Sequence, residues 1–291
     1  MAKPHLYKCA TWKAVAEALK DAPGRLQSAP EEELWFRGVP SPDFELLPTL
    51  FWRLKGRKRP EIDNIESDLF FEFQARAREL HERGLSDWDY LFFMRHHGVP
   101  TRILDWTDSF GVAVFFALEA AALGDQPHAP VIWALNPYRL NARKRAWKLR
   151  DLVQPKYLGH VDGELWEYGE LLNTPGPWLH DEPVALYPQQ ISERMRAQRG
   201  WFTMFGNSTR PLERQVPDVL ARIDLVGHAV DEAREFLGMA GLRPYSIFPD
   251  LDHLSAELVG ANFQGAAVDR TKLINGRVGS ERLIKASKRR T

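Results

Sequence analysis

The sequence is poor in cysteine, and Cys9 is the only one among 291 residues. A single thiol excludes a disulfide framework and a zinc site built from several thiolates. Long hydrophobic runs are also missing, since no apolar stretch approaches the roughly 20 residues of a membrane-spanning helix. The first residues, MAKPHLYKCATWK, have no apolar signal-peptide core. We therefore expect a soluble cytoplasmic protein without a membrane partner.

An excess of charge of one sign is absent as well. The 39 basic and 39 acidic residues cancel to a formal net charge of +0. Overall charge therefore gives no reason to expect nucleic acid or an anionic membrane as a partner. Two local basic segments stand out, Arg57 to Arg59 and the C-terminal ERLIKASKRR, and both are typical of solvated surface charge or a fraying terminus.

Familiar catalytic motifs are lacking too. Neither common glycine-rich phosphate loop is present, and GxSxG does not occur. His96, His97 and Asp105 could bind a metal, but adjacent histidines on a helix point away from each other. We therefore predict no metal site.

What the sequence does contain is ample material for a core. Hydrophobic residues make up 44% of the chain, with 10 Trp and 16 Phe. Helical periods at 11–19 and 62–80 alternate with probable strands at Leu34 to Phe36, in VIWAL, at Trp201 to Phe205 and in LARIDLV. This pattern predicts a single α+β domain. We place an N-terminal helical extension at 1–29, the main domain at 30–262 and a basic tail at 263–291.

The most informative stretch runs from Tyr90 to Leu118 and reads as helix, polar loop and helix. The loop carries two His, an Arg, two Asp, a Trp and several hydroxyls before a helix that is apolar on every face. Buried polar groups must each find a partner, so such a loop is costly to build. We predict the functional site here.

Several strings in this sequence occur in the order typical of one family: WFRG, LLPTLFWR, HHGVPTRILDWTDSFGVAVFFAL, ISERMRAQRGWFTMF and LRPYSIFPDLDHLSAEL. Together they resemble the FRG-domain family, whose naming triplet is Phe36, Arg37 and Gly38 here. The resemblance extends from about Trp35 to Leu258. This chain has Arg95, His96 and His97 where the family usually has Gln, His and an aromatic residue.

A weaker similarity connects this family to the ADP-ribosyltransferase group, which binds NAD in a cleft between two small sheets. The resemblance implies small split β-sheets surrounded by helices, and a possible role as a toxin or phage-defence effector. It also implies that Arg37 holds the dinucleotide, that Thr107 and Ser109 shape the nicotinamide pocket, and that Gln198 completes the site.

The chemistry of NAD cleavage points to overlapping residues. Breaking the nicotinamide–ribose bond builds positive charge on the sugar, so the site must fix the diphosphate and present negative charge nearby. Arg37 offers a rigid fork for phosphate, with Gly38 allowing close approach. Asp105 could supply the negative field, His96 or His97 could act as acid or base, and Trp106 or Trp35 could stack on a ring.

The leading function that the resemblance implies is a NAD-using ADP-ribosyltransferase-like enzyme or NAD hydrolase, with NAD as the substrate and a macromolecule as a possible acceptor. Two overlapping sets of site residues follow. The predicted catalytic residues are Arg37, His96, Asp105 and Gln198. The predicted nucleotide-binding residues are Arg37, Gly38, Thr101, Arg102, Trp106, Thr107 and Ser109.

Structural roles compete with each of these functions. Arg102 and Asp105 are spaced to form an ion pair across a turn, Thr107 could cap the second helix, and Trp106 could belong to the core. The main alternative function is a non-catalytic module in which Arg37, His96, Arg102 and Arg194 hold a nucleotide or a nucleic-acid phosphate. The third possible function is that of a scaffold, in which the polar loop is purely structural.

Overall fold

The computed structural model describes residues 3–78, 84–122, 129–143, 167–173, 182–188 and 192–262. Its strands form a single seven-stranded sheet in the order β1-β7-β4-β2-β3-β6-β5. The strands are β1 His5–Cys9, β2 Trp35–Val39, β3 Ile103–Thr107, β4 Val131–Leu135, β5 Val184–Leu186, β6 Gly200–Met204 and β7 Leu220–Leu225. Only β1 and β7 pair in parallel among these strands.

This sheet confirms the mixed helix and strand content but not two split sheets, and that prediction is wrong. The two parts of the sheet are joined because β2 pairs with β3, although this pairing is a single residue pair, Phe36 with Thr107. On either side the ladders are longer, with β2 pairing β4 from Trp35 to Val39 and β3 pairing β6 from Ile103 to Thr107. The sheet is therefore continuous but narrow in the middle.

Helices surround the sheet. They are α1 Trp12–Arg25, α2 Thr49–Arg53, α3 Arg59–Ala77, α4 Asp87–His96, α5 Phe110–Ala122, α6 Pro137–Ala142, α7 Tyr168–Asn173, α8 Glu193–Ala197, α9 Leu212–Gln215 and α10 Ala229–Met239, with a 3₁₀ turn at Pro217–Val219. A second compact unit starts at Arg243 and contains α11 Pro244–Ile247 and α12 Leu251–Asn262. No helix in the described ranges is long and apolar enough to cross a membrane.

The N-terminal region contributes a strand as well as the predicted helix. β1 pairs with β7 from His5–Ala221 to Cys9–Leu225, although its first residues are exposed and its hydrophobic alternation is weak. Thr11 caps α1 as predicted, its Oγ1 accepting from the backbone N–H of Ala14 at 3.3 Å. The helix includes Pro23 and Gly24 and ends at Arg25, one residue beyond the predicted stop and within the usual scatter of helix ends.

The central stretch is helix, strand, helix, and the predicted polar loop is wrong in its second half. Ile103–Thr107 forms β3 at the centre of the sheet, between β2 and β6. The sequence hides this strand because Asp105 interrupts its apolar run. Ser109 precedes α5 and caps it, since its Oγ accepts from the N–H of Val112 at 3.4 Å.

Gly38 owes its identity to helix packing. A Cβ atom at this position would lie 2.0 Å from the carbonyl oxygen of Ala113 and 2.5 Å from the amide nitrogen of Ala117. Both atoms belong to the backbone of α5 and cannot move aside like a side chain. The glycine therefore lets α5 lie directly on β2, and the predicted role in approaching a ligand is not needed to explain it.

The hydrophobic core has two main clusters. One is built around Trp35, Trp106 and Trp201 together with Phe51 and Phe205. The other lies among α3, α4, α7 and β6, and includes Phe70, Phe92, Tyr168 and Phe202. The neighbouring strands β3 and β6 contribute to both clusters, and this packing fixes the position of the residues between them.

Candidate functional site

A cavity of about 340 Å³ opens where β2, α4, β3, α5 and α8 meet. Most of the predicted site residues line it, although they come from distant parts of the sequence. They are Arg37, Gly38, His96, Asp105, Trp106, Thr107 and Gln198. Arg37 and Thr107 therefore face one hollow, whereas Ser109, which was predicted to belong to the same pocket, is not part of its lining.

The polar floor of the cavity is an Arg–Asp–Arg cluster formed by Arg37, Arg95 and Asp105. Arg95 donates from Nε to Asp105 Oδ1 and Oδ2 at 3.0 and 2.9 Å, and from Nη2 to Oδ2 at 2.5 Å. Its Nη1 donates to Thr49 Oγ1 at 2.9 Å. Arg37 donates from Nη1 to the Asp105 carbonyl oxygen at 2.7 Å and to Oδ2 at 3.4 Å. Asp105 is thus held from both sides.

These contacts fix the charge of Asp105. Burial alone would raise its pKa, but attraction by Arg95 and Arg37 outweighs burial and lowers the pKa to about 2. The side chain nevertheless keeps 39% of its surface exposed. Asp105 is therefore an ionised carboxylate within reach of a bound molecule at neutral pH.

Of the two guanidiniums in the cluster, that of Arg37 makes fewer hydrogen bonds to the described part of the protein than that of Arg95. Burial lowers its pKa, although the neighbouring Asp105 opposes that shift. Arg95 uses all three of its nitrogens, whereas Arg37 bonds only through Nη1 within the described ranges, and its Nε is buried without a partner. A guanidinium has five N–H donors, so Arg37 keeps donors, including those of Nη2, for a ligand.

His96 is the histidine that faces this cavity. Burial, repulsion by Arg194 and repulsion by His97 together lower its pKa to about 4. The ring is therefore neutral at pH 7, so it can accept a hydrogen bond but is not a general acid. His97 lines a different cavity of about 600 Å³ bounded by α3 and α4, as expected for adjacent residues at a helix end.

Thr107 connects the cavity wall to α8. Its Oγ1 donates to the carbonyl oxygen of Gln198 at 2.8 Å and accepts from the N–H of Ser109 at 3.1 Å. The hydroxyl predicted to shape a nicotinamide pocket is therefore engaged with the protein, and it brings Gln198 to the wall. Ser109 lies outside the cavity lining and serves as the cap of α5, which corrects its predicted role.

Arg102 and Thr101 also lie outside the cavity lining, so the structure does not bring them together with the other predicted nucleotide-binding residues. Arg102 is fully buried and pairs with Glu66, its Nε donating to Oε1 at 2.7 Å and its Nη2 contacting Oε2. Tyr168 donates its O–H to the same Oε1 at 2.6 Å. Burial would lower the pKa of Arg102, but attraction by Glu66 outweighs burial and raises that pKa above its usual value. Thr101 is 1% exposed.

The predicted Arg102–Asp105 ion pair fails for a geometric reason. Positions three apart along an extended chain point to opposite faces. Arg102 therefore reaches α3 on one side of the sheet, while Asp105 reaches Arg95 and Arg37 on the other.

The predicted stacking tryptophans belong to the core. Trp106 is 2% exposed and donates from Nε1 to Thr203 Oγ1 at 3.1 Å, and Trp35 is completely buried. Trp106 still lines the cavity, but phenylalanines form most of its aromatic wall, and Phe44 stands out because it is 44% exposed. Phe36, Phe92, Phe116 and Phe202 are the others.

Sequence reasoning missed Arg95 and Phe44 as site residues. The signal for Arg95 was its place directly after the apolar run Leu91 to Met94, at the end of a buried helix. Its partner could not be foreseen without β3. In the described part of the chain, no group of three or more His, Cys, Asp and Glu side chains could hold a metal ion.

Fold and cavity together define an α+β protein with an Arg–Asp–Arg cluster at the floor of an aromatic pocket. The family model of the FRG domain matches residues 32–126, which confirms the resemblance to the FRG-domain family over this segment, while the resemblance from there to Leu258 stays a prediction. The matched segment contains Arg37, Arg95, His96 and Asp105, while Arg194 and Gln198 lie beyond it. No curated protein and no solved structure matches the chain.

Proposed function

We propose that the cavity binds a nucleotide through its phosphates, with NAD as the leading ligand. Arg37, Arg95 and Arg194 line the cavity with Asp105 as the counter-charge, and its other walls are largely apolar. An anion bound there exchanges water for charge-assisted hydrogen bonds in a site of low polarity. The observation that carries the proposal is the position of Arg37, held by Asp105 through Nη1 with Nη2 left for a ligand.

Size and wall composition support a nucleotide rather than a bare anion. The volume of about 340 Å³ lies at the lower end of small-molecule sites, which suits one half of a dinucleotide. Phe44 at the exposed edge and the buried Phe92 and Phe202 offer apolar surface for a base or a nicotinamide ring.

A specific observation favours cleavage of NAD over binding alone. Asp105 is ionised, fixed by Arg95 and partly exposed, so it can stabilise positive charge on the ribose as the bond to nicotinamide breaks. Nicotinamide leaves with the bonding electron pair, and a water or an acceptor group attacks the anomeric carbon and loses a proton. Neutral His96 can accept a hydrogen bond from that nucleophile.

Release of nicotinamide tests this proposal. The purified chain is incubated with NAD and free nicotinamide is followed, in parallel with NAD binding by calorimetry. We expect Asp105→Asn to retain binding and lose release. Arg37→Gln should weaken binding at least about tenfold and reduce release, while its melting temperature stays close to wild type. Binding without release in the wild type identifies the non-catalytic nucleotide module. If the wild type neither binds NAD nor releases nicotinamide, the proposal is contradicted and the scaffold interpretation is left.

We also propose a role as a toxin or defence effector, because NAD cleavage would deplete the NAD that growth requires. Induced expression of the wild type should then slow growth and lower cellular NAD, whereas equal expression of Asp105→Asn should not. Growth arrest by both forms would show that the toxicity does not depend on NAD cleavage and would contradict this role.

A further inference from the structure

A second surface, none of whose residues line the cavity at Asp105, combines an exposed tryptophan with a cluster of cations. It comprises residues 52–59, which end α2 and enter α3, and residues 210–214 around α9. α2 buries Leu50 and Phe51 and leaves Trp52 64% exposed, which is unusual for so large an apolar side chain. We propose that this surface binds single-stranded nucleic acid.

The charge of this surface differs from that of the chain as a whole. The cations are Arg53, Lys55, Arg57, Lys58, Arg59, Arg210 and Arg214. The neighbouring carboxylates are Glu45, Glu61, Asp63 and Glu213. A chain with a formal net charge of +0 therefore concentrates an excess of positive charge in one place.

Contacts join the two segments into one surface. Glu45 accepts from Lys55 Nζ at 3.2 Å through Oε2 and from Arg214 Nη2 at 3.0 Å through Oε1. Arg59 donates from Nη1 to the carbonyl oxygens of Gly206 and Asn207 at 3.1 and 2.6 Å, directly before the second segment. The cations are thus held together by the fold, and several remain largely exposed.

An exposed aromatic ring among cations is the arrangement that single strands require. Successive phosphates contact the cations, while an unpaired base stacks on the ring. A duplex hides its base faces and has no use for the tryptophan. An anionic membrane could also attract cations with a tryptophan, and the experiment separates that source of negative charge.

The test measures fluorescence anisotropy of a labelled 12-residue oligo(dT) with the full chain, over a range of salt. We expect saturable binding whose logarithmic salt slope is about −2 to −3, the value for roughly three to four phosphate contacts. Trp52→Ala should weaken binding about fivefold or more through lost stacking. Arg53→Glu with Lys58→Glu should weaken it about tenfold or more at low salt.

Matched controls carry the assignment. Lys13→Glu with Lys20→Glu makes the same change in net charge on exposed positions of α1, and it should weaken binding much less. Absence of binding overturns the proposal, as does binding that Trp52→Ala and both double variants affect alike. Trp52-dependent binding to phosphatidylserine vesicles without oligonucleotide binding overturns it in favour of a membrane. The proposal is independent of NAD, since neither assay uses the other's ligand.

Discussion

Two arginine–carboxylate clusters in this molecule use the same chemistry in different surroundings. Arg102 and Glu66 are 0% and 2% exposed and are closed off together with Tyr168. Arg37, Arg95 and Asp105 lie at an open cavity, where the Asp105 side chain is 39% exposed. Exposure, rather than residue type, separates a cluster that holds the fold together from one that can meet a ligand.

The largest effect should come from breaking the closed cluster. Arg102→Met leaves Glu66 buried without its cationic partner, and removal of one partner of a buried pair costs about 3–5 kcal/mol. Urea denaturation measures the loss in the free energy of unfolding. Combining Arg102→Met with Glu66→Met should recover part of it, and a double variant no better than the sum of the single ones would contradict the pairing.

Gly38 belongs to the structural side of this comparison, although it is next to Arg37 at the cavity. Gly38→Ala puts a methyl group against the backbone of α5, and such overpacking costs about 1–3 kcal/mol. Gly24→Ala is the matched control, because nothing lies within 4 Å of the added atom and alanine favours a helix by about 1 kcal/mol. Thermal unfolding should therefore move in opposite directions for the two variants.

Replacing Arg37 should affect ligand binding more than stability, whereas replacing Arg102 should affect mainly stability. Arg37→Gln leaves Asp105 paired with Arg95, so stability should change by less than it does for Arg102→Met. Loss of a charged hydrogen bond to the ligand phosphate, worth about 1.5–3 kcal/mol, should weaken nucleotide binding roughly tenfold to a hundredfold. Paired calorimetry and denaturation measure both, and a large stability loss with unchanged binding would place Arg37 in the structural class.

The smallest effect concerns the open cavity's histidine. Its folded pKa of about 4 lies below the unfolded value of about 6.5, so the unfolded state binds more protons between these values. The contribution of His96 to stability is therefore present above pH 6.5 and is lost as pH falls toward 4. Arg194→Gln should raise the His96 pKa, measured from its ring resonances by NMR. An unchanged pKa would mean that Arg194 does not act on His96.

The sequence was sufficient to predict several local features. The apolar character of α5 follows from a short pattern, and this prediction succeeds because neighbours along the chain decide it. The strand before Arg37 was predicted only approximately, since it was expected to end at Phe36 and Arg37 lies inside β2. Arg37, His96 and Asp105 line one cavity, and their functional roles stay predictions. The same patterns placed the capping residue only approximately, since Ser109 caps α5 rather than Thr107.

The errors arise where partners are distant in sequence. Arg102 was assigned to the ligand because its partner Glu66 lies in another helix and β3 was taken for a loop. Without the strand, the opposite directions of Arg102 and Asp105 could not be known. Likewise, the role of Arg95 depends on β3 being next to α4 in space. The partners of these residues depend on the sheet register, and no local sequence pattern specifies that register.

The central claim is that Arg37, fixed by Asp105, binds a nucleotide phosphate in the open cavity. Calorimetric titration of ADP-ribose into the wild type and into Arg37→Gln tests it most directly, because no bond is cleaved during the measurement. We predict saturable binding to the wild type that weakens with salt and is reduced at least about tenfold in Arg37→Gln. Equal affinity for both proteins, or no binding to either, would contradict the claim.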